Sequence, residues 1–553
     1  MKNNQAVEFD MDKNVSEKGF VNLVAMVDCS RNAVRTVETL KTFMRQLVCM
    51  GYTGIWLYME DVYEIPEEPY FGYKRGRYSQ KELKEISSYA KEIGLKCVPT
   101  IQTLAHLNGI TRWFKYGPII DTDDILLVDE PQTYTLIEKM FKSLRECFDG
   151  DEVHIGMDEA NRVGLGKYLA QHGYTNRSAL VVRHLQKVVE IAAKYGFTKP
   201  IMWNDMFIRL ADTEGYAASK KIKVSQEILD MVPKNIQLTG WRYYSFDEQV
   251  YLNMISNQKM FNRPVYLATG AITWLGFAPM NKYSIKQNTV AIRACKKMGV
   301  KNYAVTIWGD DGAECSLFAC LPTLAYVAAK AKGEKNYKEK FEKMTGIAFD
   351  KFLRLDSPNE IVEPLQPYPL THASRYMLFN DCLQGLFDST VNEGDGDKYK
   401  SIALKLGNLV KCGEFGYIFN TLAALSRTLY YKYELTVKTR KAYKKNDRAM
   451  LEKIVKNDYK KLLKHLDEFY EAFRYQWYKE NKPYGFEVQD YRIGGLKQRL
   501  LNGKRIIEDY LAGKIEKIDE LEEEVLSVLC KPEQDGKGVD IRPLKVAITA
   551  NVF

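Results

Sequence analysis

Short apolar runs rich in β-branched residues alternate with longer amphipathic segments from Val21 to about Ala331. Such runs, bounded by turn residues, predict buried strands, and the apolar spacing of the segments between them predicts helices. The eight predicted strands are Val21–Asp28, Tyr52–Glu60, Lys96–Gln102, Glu152–Asp158, Pro200–Asp205, Ile236–Trp241, Val265–Gly270 and Asn302–Trp308.

Helix boundaries separate these strands. Ser79 precedes Glu82 by three residues, which predicts a capping box, and Pro131 marks another helix start. Glycines follow three of the periodic segments, where a left-handed C-cap is favoured; they are Gly94, Gly196 and Gly299. The predicted helices of this part of the chain include Val34–Met50, Gln80–Ile93, Thr133–Cys147, Ala179–Tyr195 and Ile285–Met298.

Eight strand–helix units in roughly 310 residues predict an α/β protein with a (β/α)8 TIM barrel. A doubly wound open sheet is the alternative, but no GxGxxG or P-loop motif follows any predicted strand. From about Glu334 to Leu529 the period is helical, as in Tyr399–Val410, Phe415–Lys445 and Arg448–Tyr478. The predicted division is therefore an N-terminal extension (1–20), a catalytic barrel (21–332) and an α-helical C-terminal domain (333–553).

Composition excludes several classes of protein. With 553 residues, the chain is too long to fold around one hydrophobic core. Its hydrophobic fraction of 46% and its charged fraction of 27% are ordinary values for a soluble enzyme. No apolar run of 18 residues exists, which argues against a membrane span. The polar start, Met1 to Lys18, has no apolar signal core, so we expect a cytoplasmic location. Much of the +9 net charge lies in the helical stretch 432–461, which predicts a solvated helix face and no nucleic-acid partner.

Metal and cofactor chemistry is not expected. The ten cysteines are scattered singly, with no CxxC pair and no histidine at zinc spacing, so we predict no metal site and no cofactor. The polar stretch 477–485 interrupts the helical pattern. It is either an interhelix loop, a rim of the active site or a contact of a homodimer.

Chemically capable side chains cluster where the predicted strands end, which is where barrels place their active sites. Four of the seven tryptophans lie at or just after the ends of strands five to eight. Stacking aromatic rings with charged groups that bind hydroxyls suit a pyranose sugar. Besides Asp158 and Glu159, the candidate substrate-binding residues are Arg31, His106, Trp203, Trp241, Tyr243, Trp274, Trp308 and Asp310.

Asp158 and Glu159 end a buried-strand pattern. Burying a charged side chain costs free energy, so a pair of carboxylates at such a position indicates a functional site. Neighbours on a strand point to opposite faces, so both reach one substrate only if the chain turns there, which Gly156 would permit. Ordinary glycosidases place two carboxylates on opposite sides of the anomeric carbon. Adjacent carboxylates suit substrate assistance instead: Glu159 acts as general acid/base, and Asp158 orients a 2-acetamido group whose carbonyl attacks C1.

The run His154-Ile155-Gly156-Met157-Asp158-Glu159 resembles the H-x-G-x-D-E signature of glycoside hydrolase family 20. The resemblance covers roughly residues 20–332 and implies an exo-acting β-N-acetylhexosaminidase. Such an enzyme removes terminal β-linked GlcNAc or GalNAc from a glycan or glycoconjugate through an oxazolinium-like intermediate, with retention. It also implies that Arg31 grips the sugar 3- and 4-hydroxyls, that His106 belongs to the third-strand D-x-P-G-H element, and that Asp310 holds sugar hydroxyls. Three tryptophans would line the sugar face and acetamido pocket: Trp203, Trp274 and Trp308.

The sequence departs from that family in three ways. Only about 20 residues precede the first strand, Gln102 stands where an aspartate is usual, and the seventh strand lacks its tyrosine. In the family that tyrosine hydroxyl holds the acetamido carbonyl, and we assign this role to Tyr243 rather than Tyr244. The amino-acid sequence of the strands resembles that of a divergent bacterial branch of the family.

Three other functions stay open at this point. One is a substrate-assisted family specific for β-GalNAc, and another is a barrel that binds N-acetylhexosamine without catalysis. The third is an ordinary two-carboxylate glycosidase that pairs Glu159 with Asp205 or Asp310.

Overall fold

The protein is described by a computed structural model that covers residues 19–211, 220–362 and 372–527. Most of the predicted N-terminal extension and residues 528–553 of the C-terminal domain lie outside this description. Eight parallel strands close into a barrel in which strands that are consecutive along the chain pair with each other. The ring closes because the first strand pairs with both the eighth and the second. The predicted (β/α)8 barrel is confirmed.

All eight predicted strands form, with several ends displaced. They are β1 Asn22–Asp28, β2 Gly54–Tyr58, β3 Lys96–Thr100, β4 Glu152–His154, β5 Lys199–Trp203, β6 Gln237–Trp241, β7 Val265–Gly270 and β8 Asn302–Ile307. β4 ends four residues earlier than predicted because Gly156 and Met157 have φ of 70° and 72°, which no strand accommodates. A small hairpin, 120–122 with 125–126, was not predicted.

Alternation along the strands separates two apolar layers. On β1, Val24 and Met26 face the interior of the barrel, whereas Leu23, Ala25 and Val27 join the layer beneath the surrounding helices. Aromatic rings fill the interior: those of Trp56 and Trp203 lie 6.5 Å apart, and those of Trp56 and Tyr266 lie 5.1 Å apart. The interior of the barrel is therefore a packed core.

A helix of seven or more residues follows each strand. These helices are α1 Val37–Met50, α2 Gln80–Glu92, α3 Pro131–Arg145, α4 Arg177–Lys194, α5 Asp205–Ala211, α6 Glu248–Lys259, α7 Asn281–Met298 and α8 Leu321–Lys332. The Ser79–Glu82 capping box is present, and Pro131 occupies the first turn of α3. Gly94, Gly196 and Gly299 have the left-handed φ expected of C-caps.

Helices also dominate the rest of the described chain, residues 333–527, which we call the helical region. The α-helices of seven or more residues are α9 Tyr337–Thr345, α10 Ala373–Phe379, α11 Gly396–Gly407, α12 Gly416–Lys432, α13 Leu435–Lys444, α14 Tyr459–Glu480 and α15 Phe486–Leu511. The single helix predicted over 415–445 is divided in two at Tyr433 and Glu434. Among all the residues that the structure describes, no helix combines the length and apolarity needed to cross a membrane.

Candidate active site

The turn after β4 brings Asp158 and Glu159 to the mouth of the barrel. Gly156, Met157 and Glu159 all have left-handed backbone conformations, with φ of 70°, 72° and 54°. Gly156 is required here, because a Cβ would collide with the Gln102 side chain and with the carbonyl of Ile101. Left-handed non-glycine residues cost free energy and persist where their surroundings impose them. The predicted bend at Gly156 is thus observed, and it lets neighbouring carboxylates share one site.

Asp158 is held as a buried anion by a neutral amide and an imidazole. Gln102 Nε2 donates to Asp158 Oδ1 at 2.7 Å, and His106 Nε2 lies 3.2 Å from Oδ2. Burial opposes the charged form of Asp158, but His106 and Gln102 outweigh it and lower its pKa to about 2. Burial would also lower the pKa of His106, yet the nearby Asp158 raises it to about 9. At neutral pH the two side chains form an ion pair.

Glu159 is more open, with 40% of its side chain exposed. Arg209 Nη2 donates to Glu159 Oε1 at 2.9 Å, while Oε2 lies 3.6 Å from His106 Nε2. Asp205 supports this arrangement: its Oδ2 accepts from the Glu159 backbone N–H at 3.0 Å and from Arg209 Nε at 2.9 Å. Burial and the neighbouring Asp158 raise the pKa of Asp205 to about 7. One oxygen of Glu159 is therefore fixed, and the other faces the mouth beside His106.

Arg31 lies among three carboxylates. Arg31 Nη1 donates to Asp310 Oδ1 at 2.9 Å and lies 3.6 Å from Asp28 Oδ2. Its Nε lies 3.3 Å from Glu60 Oε1, whose pKa burial raises to about 7 against the attraction of Arg31. The guanidinium also lies 4.6 Å from the ring centre of Trp308, close enough for a cation–π contact. Asp310 is 45% exposed, so it presents its free oxygen to the mouth.

Tyrosines and tryptophans form one wall of the mouth. Trp308 Nε1 donates to the Tyr243 hydroxyl at 2.9 Å, and Trp274 Nε1 donates to the Tyr244 hydroxyl at 2.8 Å. The ring of Trp241 stacks on Tyr243, with centroids 5.3 Å apart and planes 17° apart. Burial raises the pKa of both tyrosines, so their hydroxyls stay protonated and can each still donate a hydrogen bond.

Trp203 lies beneath this wall, with no exposed surface. Its ring packs against His154 at 4.6 Å and against Trp308 at 6.0 Å. His154 is buried as well; its Nδ1 accepts the Gly156 backbone N–H at 3.1 Å, and burial lowers its pKa to about 3. A neutral imidazole thus stabilises the turn after β4, and Trp203 supports Trp308 from below.

The structure gathers the predicted site residues at one end of the barrel, but Trp203 has no exposed surface there and supports Trp308 instead of lining the mouth. Two residues that sequence reasoning did not assign to the site make direct contact with the carboxylate pair: Gln102, noticed only as a departure from a motif, and Arg209. The signal for Arg209 was its place four residues after Asp205, one turn along a helix that begins at a strand end.

A closed parallel barrel whose mouth combines carboxylates, an arginine and an aromatic wall is an architecture typical of glycoside hydrolases. Two family models match the chain: the catalytic domain of glycosyl hydrolase family 20 over residues 65–314, and the glycoside hydrolase 20C C-terminal domain over residues 350–540. The chain belongs to glycoside hydrolase family 20.

Individual relatives are distant. Hexosaminidase D of Bos taurus is 26% identical over 170 residues, covering 28% of this chain and 48% of that protein. A probable beta-hexosaminidase of Arthroderma benhamiae is 22% identical over 294 residues, covering 48% of this chain and 42% of that protein. The match spans less than half the length of both relatives. A solved exo beta-N-acetylglucosaminidase of Vibrio harveyi, in complex with N-acetylglucosamine, has 16% identity and a TM-score of 0.45 over 61% of this chain and 58% of that one.

Proposed function

We propose that the protein is an exo-acting β-N-acetylhexosaminidase that hydrolyses terminal β-linked GlcNAc or GalNAc by substrate-assisted, retaining catalysis. The observation that carries the proposal is the placement of one imidazole, His106, between two adjacent carboxylates of unequal environment. Asp158 is buried and anionic, whereas Glu159 is open to the mouth. This division of roles suits one group that stabilises a cation and one that exchanges a proton.

Asp158 is the proposed partner of the 2-acetamido group. Its carboxylate accepts the acetamido N–H and so directs the carbonyl oxygen towards C1. As that oxygen bonds to C1, positive charge develops on the resulting ring, beside an anion whose pKa of about 2 keeps it ionised. Gln102 and His106 support the role because they hold the carboxylate before substrate arrives, and so reduce the cost of reorganisation.

Glu159 is the proposed general acid and base. It donates its proton to the glycosidic oxygen as the C1–O bond breaks and the bonding electrons pass to the leaving group. It then accepts a proton from the water that attacks C1 and displaces the acetamido oxygen. The exposure of Glu159 and its hydrogen bond from Arg209 support this role, because one oxygen is anchored while the other is free to approach the substrate.

The remaining site residues are proposed to select the sugar. Arg31 and Asp310 would bind the 3- and 4-hydroxyls, since the pair combines a partly exposed guanidinium with an exposed acceptor. Tyr243 would donate to the acetamido carbonyl. Its hydroxyl accepts from Trp308 Nε1 and also contacts Thr306; because burial keeps it protonated, it retains a proton to donate. Trp241, Trp274 and Trp308 would enclose the acetamido methyl and the sugar face.

An ordinary glycosidase that pairs Glu159 with Asp205 is disfavoured by the position of Asp205. Its side chain has no exposed surface, and one oxygen is shared by Arg209 and the Glu159 backbone. A nucleophile for C1 needs an oxygen that faces the sugar.

A panel of p-nitrophenyl sugars tests the proposal. We expect turnover of the β-GlcNAc or β-GalNAc glycoside and at least a thousandfold slower turnover of β-glucoside and β-galactoside, which lack the amide nucleophile. Comparable turnover of sugars with and without the acetamido group would contradict substrate assistance. N-acetylhexosamine binding without hydrolysis would favour a binding barrel instead. The ratio of gluco to galacto activity decides between the two epimers.

A further inference from the structure

The segment after β8, residues 309–316, carries Asp310 on an unusual backbone. Asp311, Gly312 and Ala313 have φ of 59°, 125° and 53°, three successive residues in the left-handed region. Two of the three are not glycine, so this conformation needs external contacts to be maintained. Within the segment, only the N–H groups of Gly312 and Ala313 bond to the Gly309 carbonyl. Asp28, Arg31 and Asn32 of the barrel bond to the segment, and further contacts come from the helical region.

Two arginines of the helical region bind residues of the segment 309–316. Arg375 on α10 and Arg492 on α15 both contact Glu314, whose side chain is only 2% exposed; the Arg375 Nε–Oε2 and Arg492 Nη1–Oε1 distances are 2.9 and 3.0 Å. Both arginines also donate to the carbonyl of Asp311, Arg375 at 3.4 Å and Arg492 at shorter range. Since Asp311 follows Asp310 directly, these bonds determine where the Asp310 backbone lies.

Hydrogen bonds from side-chain amides to glycine carbonyls also attach the segment 309–316 to α15. Gln489 on α15 donates to the Gly312 carbonyl at 3.1 Å, and a Cβ at Gly312 would collide with Arg492. Asn32, the neighbour of Arg31, donates to the carbonyls of both Gly312 and Gly485, at 3.2 and 2.9 Å. Gly485 is the N-cap of α15. Both members of the Arg31–Asp310 pair are therefore anchored to the start of the same helix.

We propose that Arg375 and Arg492 are positioning residues for substrate recognition, acting through Asp311 and Glu314 to hold Asp310 against Arg31. The inference rests on the proposed function, because it assigns a role in binding the sugar hydroxyls. The helical region then contributes to the active site by positioning one of its substrate-binding residues. It sets the distance between a hydroxyl acceptor and a hydroxyl donor that come from opposite ends of the barrel sequence.

The experiment uses the full chain and compares Arg492→Met, Arg375→Met and Glu314→Gln with wild type. We expect affinity for free GlcNAc, measured by calorimetry, to fall about tenfold in each arginine variant. KM for p-nitrophenyl β-GlcNAc should rise more than kcat falls, because the acid/base pair lies at a different part of the mouth. Arg492→Lys should restore part of the affinity, since it keeps the charge opposite Glu314. Glu314→Gln preserves the side-chain shape and serves as the mildest perturbation.

Arg499→Met is the matched control. Arg499 lies on the same helix and pairs with Asp381 at 2.7 Å inside the helical region, without touching residues 309–316. It should lower the melting temperature but leave GlcNAc affinity unchanged. Hydrogen exchange of residues 309–316 gives a reading that does not depend on sugar: we expect faster exchange in Arg492→Met than in Arg499→Met.

Coupling to Asp310 distinguishes positioning from general destabilisation. In an Asp310→Asn background, Arg492→Met should have little further effect on GlcNAc affinity, because the group it positions is already lost. Additive losses, or unchanged affinity and exchange in both arginine variants, would overturn the inference. A wild-type protein that neither binds nor hydrolyses any N-acetylhexosamine would instead overturn the proposed function, and the exchange comparison would still test the anchoring.

Discussion

Replacing His106 by Asn tests the ion pair at the centre of the proposed mechanism. His106 has φ of 56°, and Asn tolerates this left-handed conformation better than other residues apart from glycine, so backbone strain is not added. The substitution removes the charge that lies 3.2 Å from Asp158 and leaves a shorter, neutral polar side chain. The part of the stability change that depends on pH then reports on the imidazolium.

The sign of the pH dependence follows from the two pKa values. The pKa of His106 is raised from 6.5 to about 9, so its contribution to stability is complete below pH 6.5 and is lost as pH rises through 9. The pKa of Asp158 is lowered from 3.8 to about 2, so the same interaction is lost as pH falls through 2. The shift of His106 corresponds to at most about 3 kcal/mol. The stability difference between wild type and variant should therefore be greatest between pH 4 and 6.5 and shrink towards pH 10.

Thermal melting from pH 5 to 10 measures this difference. For a domain of this size, the melting temperature changes by about 2 °C per kcal/mol of stability. The difference in melting temperature between wild type and His106→Asn should therefore fall by roughly 5 °C between pH 5 and pH 10. His172→Asn, at the exposed last residue of the short helix Lys167–His172 that precedes α4, is the control and should show no such trend. A difference between wild type and His106→Asn that is equal at pH 6 and pH 10 would refute the ion pair.

Three further predictions concern the chemistry. Glu159→Gln should lower kcat by about 10²–10⁴-fold for an alkyl glycoside and less for p-nitrophenyl leaving groups, as steady-state kinetics on both substrates would reveal. Asp158→Asn should lower kcat by about 10²–10³-fold with little change in KM, because the lost charge acts mainly in the transition state; equal losses in GlcNAc affinity would contradict this. A thiazoline mimic of the cyclised intermediate should inhibit at least a hundredfold more tightly than GlcNAc, and inhibition only at millimolar concentration would exclude the mechanism.

Local patterns in the sequence were enough to predict the barrel. Each strand is a short apolar run and each helix has its own periodicity and caps, so neighbouring residues determine both. The strand ends were less certain. β4 was predicted to reach Asp158 because Ile155 and Met157 continue its apolar pattern. Positive φ values, one of them at Gly156 where the Gln102 side chain leaves no room for a Cβ, end that strand at His154.

The candidate site was predictable wherever a residue follows a strand along the chain. Asp158, Glu159, Arg31 and Asp310 all do so, and the rule that barrels use the carboxyl ends of their strands placed them together. The same rule could not place Arg209, which lies in a helix and reaches Glu159 across a turn.

The sequence alone therefore determined the order of strands and helices, the barrel and the identity of the carboxylate pair, because each depends on neighbouring residues or on one topological rule. Only the tertiary structure decided which side chains contact those carboxylates, and that Arg375 and Arg492 of the helical region hold the segment bearing Asp310. These contacts join residues tens to hundreds of positions apart. Their geometry depends on side-chain packing and charge pairing in three dimensions, which no local pattern encodes.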